Sequence, residues 1–290
     1  MACGSTSRWD LLPYPTYDLL PTTYLPGMKF FDCNVMIGQT VVPTPNAILD
    51  VRTLLGEMDR LEIDQVLFFH YAFTMDQKNE MNRLTQAAAR QSDRLVPAWV
   101  LSTAVTRRGE KLEDQIDRML DSGIKAGRVF PDEGPSAGPL CLKPYLLENL
   151  YARMNQHHIP LLIPDEFLNG QATRSSPNPE AGYDDIEVIC QNFPDLPVVV
   201  LEPAYNSQQF LLTVAQRHKN FYFSMPIYGL FRELENTAAV IGADRILFGS
   251  NMPVYDPSLG IGMILYADMN DRDKQLISGG NLARLLEAVR

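Results

Sequence analysis

The amino-acid sequence predicts a (β/α)8 TIM barrel, a fold of the α/β class. Eight short apolar runs recur along the chain, and amphipathic stretches with helical spacing separate them. Alternating strands and helices give right-handed crossovers and a parallel sheet, and eight such units are expected to close into a barrel. An open doubly wound sheet is the alternative. It requires a glycine-rich phosphate turn after the first run, where Gly38 stands without the GxGxxG pattern.

The apolar runs are short, are rich in β-branched and aromatic residues, and contain few polar residues. This composition is typical of parallel strands that are buried on both faces. The runs cover residues 30–35, 66–69, 95–101, 127–130, 160–163, 198–201, 221–223 and 246–248.

Between the runs, apolar residues stand three or four positions apart, which indicates helices that place one face on the sheet. This spacing occurs in Leu112, Ile116, Met119 and Leu120, in Leu146, Leu150 and Met154, and in Leu276, Ile277, Leu282, Leu285 and Leu286. Residues 28–290 show no internal linker and are predicted to form the barrel. Residues 1–27 are rich in proline and tyrosine and are predicted to form an extended arm that packs on it.

Composition and charge limit the classes of partner. The net charge of −10 makes the chain repel phosphate backbones, so neither nucleic acid nor an anionic membrane is an expected partner. No apolar run approaches the ~20 residues that span a bilayer. Four widely spaced cysteines favour reduced thiols in a cytoplasmic protein. Residues 1–5 faintly resemble the cleavage end of a lipoprotein signal, which leaves export as the alternative. Assembly into a homo-oligomer stays open.

Two segments carry motifs at the ends of predicted strands. Residues 242–253 read GADRILFGSNMP, and residues 31–38 read FDCNVMIG. The first resembles the eighth strand of the amidohydrolase-related family, which normally ends Gly-Ser-Asp-x-Pro, and the second resembles its first strand, Asp-x-His-x-His-x-Gly. Similarity at 123–129, 159–163, 193–201 and 281–286 extends the match to further strands and the closing helix. The resemblance implies the family's TIM barrel from about residue 28 onwards.

The same resemblance implies a divalent metal, held by two histidines after strand one, histidines after strands five and six, and an aspartate after strand eight. In this sequence the corresponding positions are Asn34, Met36, Pro164, Glu202 and Asn251. An amide oxygen is a weak neutral donor, a thioether is too soft to bind zinc beside hard ligands, and proline offers no ligand. We therefore predict a degenerate metal site, with no cofactor and no divalent metal. The alternative is a metalloenzyme that holds a hard ion with Asn34, Glu202 and Asn251.

The active site of such a barrel lies at the C-terminal ends of the strands, and two residues there are predicted to be catalytic. His70 ends the second strand and is a candidate acid or base; the alternative is a buried histidine with a backbone partner. Glu202 replaces a ligand and is expected to point into the cavity. Cys33, between two cavity-facing positions, is expected to point towards the helices.

The remaining predicted site residues bind the substrate. Arg128 follows the fourth strand and suits a two-bond clamp on a carboxylate, or else a structural ion pair. For Asp165 and Glu166 the alternatives are helix capping or pairing with Arg128. The full predicted substrate-binding set is Asn34, Met36, Arg128, Asp165, Glu166, Tyr228 and Asn251.

The sequence therefore predicts an amidohydrolase-like hydrolase or decarboxylase of a small carboxylated molecule, such as a lactone or an amide. Acid/base groups at the barrel mouth would replace the metal. Two alternatives stay open, a non-catalytic relative that binds a small molecule and the metalloenzyme with unconventional ligands.

Overall fold

The computed structural model describes residues 27–38, 46–71, 78–103, 111–130, 142–165, 168, 182–225 and 229–290. Within them the predicted TIM barrel is confirmed, because every predicted apolar run contains or overlaps a parallel strand. The strands are β1 Phe31–Ile37, β2 Gln65–His70, β3 Leu95–Pro97, β4 Trp99–Val100, β5 Gly127–Arg128, β6 Leu161–Pro164, β7 Val198–Leu201, β8 Phe221–Ser224 and β9 Ile246–Leu247. The predicted arm at residues 1–27 lies outside the described residues except for Gly27.

β3 and β4 are two halves of one barrel strand that changes partner at Ala98. The Ala98 amide donates to the Phe68 carbonyl at 2.8 Å, and the next amide, Trp99, donates to the Ala126 carbonyl at 3.1 Å. β3 therefore pairs with β2, and β4 pairs with β5. The single run predicted at 95–101 thus supplies both β3 and β4, which together form the third of the eight strands of the barrel.

Backbone hydrogen bonds also join the two ends of the strand series. The Cys33 amide donates to the Phe248 carbonyl at 2.9 Å, and the Met36 amide donates to the Met252 carbonyl at 3.0 Å. A parallel bridge between Val35 and Met252 lies at the same seam. β1 therefore neighbours both β2 and the segment that follows β9, which completes the ring.

The helices other than the last one lie outside the ring and bury one face against it. The helices are α1 Val51–Arg60, α2 Lys78–Ala89, α3 Asp114–Asp121, α4 Pro144–His157, α5 Tyr183–Asn192, α6 Gln208–Arg217, α7 Glu233–Ile241, α8 Ser258–Tyr266, α9 Asp271–Gln275 and α10 Asn281–Glu287. In the described part of the chain, no helix is both long enough and apolar enough to cross a bilayer.

The barrel interior is filled in two levels. The lower layer takes side chains from the strands all around the ring and is closed from below by α10. Its members are Phe31, Cys33, Leu67, Ala98, Ala126, Leu162, Val199, Leu201, Tyr222 and Leu247, with Leu282, Leu285 and Leu286 from α10. The upper layer, nearer the C-terminal ends of the strands, consists of Met36, Phe69 and Val100, with Tyr71 and Phe130 packed against them.

A bulge in β1 corrects one prediction. Relative to β2, the register of β1 shifts between Asp32 and Val35. An extra residue in a strand interrupts the alternation of side chains between the two faces. Cys33 consequently lies in the lower layer. The prediction that it points towards the helices, which rested on its position between two cavity-facing residues, is wrong.

Candidate functional site

Three predicted site residues meet at the C-terminal end of the barrel and form what we call the polar cluster: Asn34, Arg128 and Glu202. Arg128 Nη1 donates to Asn34 Oδ1 at 2.5 Å, and Asn34 Nδ2 donates to Glu202 Oε1 at 2.5 Å. Arg128 Nη2 lies 4.0 Å from the same Glu202 oxygen. The side chains of Arg128 and Glu202 are only 4% and 12% exposed, so this is a largely buried pair of opposite charges bridged by a carboxamide.

Arg128 points into the barrel because of its place in β5. Its Cα partners on the neighbouring strands, Val100 and Leu162, both have side chains in the interior layers. The guanidinium carbon lies 4.2 Å from the ring centre of Phe69 and 4.9 Å from that of Phe130. Cations over aromatic faces at these distances are attracted by the ring quadrupole, most strongly where water is excluded. The two rings therefore help to hold the guanidinium in one orientation.

Glu202 directly follows β7 and turns the chain there. Its φ is 56°, in the left-handed region that residues other than glycine seldom adopt. Its backbone amide donates to Ser224 Oγ, at the end of β8, at 2.9 Å. The neighbouring strand thus supports the unusual backbone conformation at Glu202.

Asn251 and Met36 lie beside the seam between β1 and the segment after β9. Asn251 also has a φ of 56°, which asparagine tolerates better than most residues. It is 6% exposed, and its Oδ1 has no hydrogen-bond partner among the described residues. A buried oxygen without a donor is costly, so Asn251 is a candidate to accept a hydrogen bond from a ligand. Met36 contributes an apolar wall in the upper layer.

Asp165, at the end of β6, is engaged by the protein itself. Its Oδ1 accepts a hydrogen bond from the Tyr183 hydroxyl at 2.5 Å. Its Oδ2 accepts from Ser207 Oγ at 2.5 Å and from the Ala204 amide at 2.9 Å. Burial, together with the neighbouring Asp165 charge, raises the pKa of Tyr183. This carboxylate therefore anchors the segment after β7, and its proposed contact with substrate stays a prediction.

The structure places His70 outside the polar cluster. On β2, Leu67 and Phe69 face the interior, whereas Phe68 faces the helices. Because side chains alternate along a strand, His70 lies on the same face as Phe68. His70 Nδ1 lies 3.1 Å from Thr85 Oγ1 on α2. Burial lowers the pKa of His70, which favours the neutral imidazole. Its predicted catalytic role stays a prediction.

Asp32 supports the cluster, although the sequence had singled it out only as part of a family motif. It is fully buried, and its Oδ1 accepts hydrogen bonds from the amides of Asn34 and Ser250, each at 3.0 Å. Burial raises its pKa to about 6. Asp32 thus ties the β1 bulge to the segment that carries Asn251. Phe69 and Phe130 were also missed as site residues, and their places near the ends of β2 and β5 were the available signal.

Two further predicted site residues, Glu166 and Tyr228, lie outside the described residues.

The donors at the polar cluster do not fit a zinc-like ion. In the part of the chain that the structure describes, no group of three or more His, Cys, Asp or Glu side chains is placed to hold a metal. Near the ends of β1, β7 and β9 the side chains offer a carboxylate and two carboxamides, and Asn34 Oδ1 already accepts a hydrogen bond from a guanidinium. Tight sites for such ions use imidazole, thiolate or several carboxylates. The absence of a metal cofactor itself stays a prediction.

Comparison with known proteins agrees with the fold and with the sequence motifs. A model of the amidohydrolase family matches residues 49–287, which confirms the predicted family. No curated protein matches the sequence.

Solved structures with the same architecture include enzymes and a protein without an assigned activity. An uncharacterised TIM-barrel protein from Bordetella bronchiseptica superimposes with a TM-score of 0.69 and 22% identity, covering 90% of this chain and 99% of that one. The 2,6-dihydroxybenzoate decarboxylase from Rhizobium gives 0.70 and 14%, covering 90% and 99%. The 5-carboxyvanillate decarboxylase from Novosphingobium aromaticivorans, solved with manganese and 4-hydroxy-3-methoxy-5-nitrobenzoic acid, gives 0.70 and 11%, covering 90% and 96%. At these identities the similarity establishes the fold.

Proposed function

Because the chain belongs to the amidohydrolase family, we propose that it is a hydrolase or decarboxylase of a small carboxylated molecule that binds at the mouth of the barrel. The single observation that carries the proposal is the polar cluster. A buried guanidinium, a carboxylate and a carboxamide converge where barrels of this kind carry out their chemistry.

Arg128 supports the carboxylate as the recognised group. A guanidinium offers several N–H donors in one plane, which match the two oxygens of a carboxylate. In a site from which water is excluded, such a charge-assisted bond is stronger than at the surface. The apolar walls formed by Met36, Phe69 and Val100 suit the hydrocarbon part of a small ligand.

Glu202 supports acid/base chemistry in the same place. It is the carboxylate of the polar cluster, and Asn34 holds one of its oxygens. In this proposal Glu202 transfers a proton to or from the reacting atom, and Arg128 neutralises charge that develops on the substrate. The amide of Asn251 cannot act as a base. It is assigned to substrate binding, together with Asn34 and Met36.

The neighbouring enzymes favour a carboxylated substrate as well. Two of them are decarboxylases whose names describe carboxylated aromatic molecules. One was solved with manganese, whereas the positions that the family resemblance assigns to histidine ligands carry Asn34, Met36, Pro164 and Glu202 in this chain. We therefore propose that this chain works without the standard metal.

A panel of hydroxybenzoates, lactones and amides tests the proposal, with product formation followed by chromatography. We expect turnover of at least one compound, and a loss in kcat of about 100-fold in Glu202→Gln. Glu57→Gln, which removes an exposed carboxylate paired with Arg60, is the matched control and should behave as the unaltered protein. Equal turnover in both variants would contradict the role of Glu202.

The same assay decides the role of His70. If His70 transfers a proton, His70→Ala abolishes turnover, whereas Thr85→Val, which removes only its hydroxyl partner, retains part of it. If His70 is structural, both variants lower stability and leave kcat close to that of the unaltered protein.

A non-catalytic binding protein is the second candidate. The observation that favours it is that both polar atoms of the Asn34 amide are engaged by neighbouring side chains. This candidate predicts ligand binding without product for any compound of the panel.

A further inference from the structure

We infer that the Arg128 guanidinium supplies the positive charge of this site in place of a metal ion. The site would then bind a carboxylate directly on this guanidinium and exclude a divalent ion. This inference deepens the proposed function and rests on it for placing the ligand at the barrel mouth.

The first argument is that the polar cluster already contains a buried positive charge. Arg128 carries one positive charge, Glu202 carries one negative charge, and the carboxamide that bridges them is neutral. A divalent ion bound to the oxygens of Asn34 or Glu202 would lie beside the positive charge of the Arg128 guanidinium in a largely buried site. Like charges repel strongly where water does not screen them.

The second argument is that the Asn34 oxygen and one Glu202 oxygen, which a metal would need, are already engaged inside the polar cluster. Asn34 Oδ1 accepts a hydrogen bond from Arg128 Nη1, and Glu202 Oε1 accepts one from Asn34 Nδ2. The amide of Asn34 thereby has one defined orientation, with its oxygen towards the cation and its nitrogen towards the anion. Asn34 is in this sense a positioning residue, which links Arg128 to Glu202.

The third argument is that the Arg128 guanidinium is already held in place before a ligand binds. Phe69 and Phe130 face the guanidinium at 4.2 and 4.9 Å, and Arg128 as a whole is 3% exposed. A side chain that is already ordered loses little conformational entropy when it binds a ligand. Arg128 is therefore preorganised to serve as a fixed positive charge, in contrast to a mobile surface arginine.

The test uses the full chain and two probes, benzoate as a simple carboxylate and Mn²⁺ alone. Calorimetric titration gives the affinity for each, and elemental analysis gives the metal content of protein purified without chelator. We expect benzoate to bind with the same affinity with and without EDTA, and Mn²⁺ not to bind stoichiometrically.

Three variants complete the design. Arg128→Gln should weaken benzoate binding about tenfold or more. Arg83→Gln removes a surface arginine paired with Glu80 on α2 and should leave it unchanged. Arg128→Lys keeps the charge but not the planar donors, so it should weaken benzoate binding and still exclude Mn²⁺. If Arg128→Gln does not fold, the lysine variant still tests the inference.

Several outcomes overturn the inference. These are a stoichiometric metal in the unaltered protein, benzoate binding that requires the metal, no benzoate binding at all, or equal benzoate affinity in the unaltered protein and both Arg128 variants. Failure of the proposed function looks different, because benzoate would still bind at Arg128 while no compound of the panel is turned over.

Discussion

The lower layer and the polar cluster are neighbouring levels of one barrel, and they are built from opposite chemistry. The same strands supply both: β1 contributes Cys33 below and Asn34 above, and β7 contributes Leu201 below and is followed by Glu202 above. The lower layer is apolar and is closed by leucines from α10. One or two residues further along the strands, an ion pair and a carboxamide are almost as well buried.

The difference separates the layer that stabilises the barrel from the level at which we propose that the ligand binds. Burial of apolar side chains stabilises the fold directly. Burial of charges costs desolvation free energy, which their mutual attraction offsets only when the geometry is good. Apolar packing at this level would avoid that cost, so the polar cluster is consistent with the proposed binding site.

The largest effect is expected from Arg128→Ala, which leaves Glu202 without its guanidinium. Removing one partner of a buried ion pair lowers the free energy of unfolding by about 3–5 kcal/mol. Carboxylate binding should be lost at the same time. Urea denaturation and benzoate titration measure the two effects, and the double variant Arg128→Met/Glu202→Gln should recover stability but not binding. Intact benzoate binding in Arg128→Ala would contradict the proposal that the polar cluster is the binding site.

A change in the lower layer should affect stability alone. Leu247 is 1% exposed in that layer, and Leu247→Ala should lower the free energy of unfolding by about 3 kcal/mol through lost burial and a cavity. The folded fraction should bind benzoate with unaltered affinity. A large change in affinity would mean that the two levels are coupled.

The pH dependence of stability tests the support beneath the cluster. Burial raises the pKa of Asp32 from an ordinary value of 3.8 to about 6, so the folded protein holds this proton more tightly than the unfolded chain does. Its contribution is complete below about pH 3.8 and is lost as the pH rises through about 6, a change of about 3 kcal/mol. Asp32→Asn should remove this slope from unfolding curves between about pH 4 and 7, whereas the exposed control Asp121→Asn should keep it. An unchanged slope in Asp32→Asn would contradict the assignment.

The smallest expected effect concerns the close approach between the end of β9 and β1. A Cβ at Gly249 would lie 2.7 Å from Cys33 Sγ and 3.1 Å from Ser224 Cβ. Gly249→Ala should therefore cost about 2 kcal/mol by overpacking. Adding Cys33→Ala removes the sulfur and should restore part of that loss, which would make the two changes non-additive. Strict additivity in denaturation experiments would show that this contact is not tight.

The pattern of apolar runs along the chain was sufficient to predict the barrel architecture. Runs of apolar residues must be buried on both faces, and each predicted run became a strand of the barrel. The motif at residues 242–253 was sufficient for the family. The resemblance also located Asn34 and Glu202, because positions after successive parallel strands meet at one end of a barrel; their meeting with Arg128 is seen in the structure.

What only the tertiary structure decided is the direction and the partner of each polar side chain. The β1 bulge turned Cys33 inwards, the alternation along β2 turned His70 towards Thr85, and the segments that supply Tyr183, Ala204 and Ser207 engaged Asp165. Hydrophobic periodicity is a local property, and the sequence by itself therefore determined the strands and helices. The hydrogen bond from Asn34 to Glu202 joins residues 168 positions apart, and the one from Ser250 to Asp32 joins residues 218 positions apart. Such partners exist only once the ring of strands has closed.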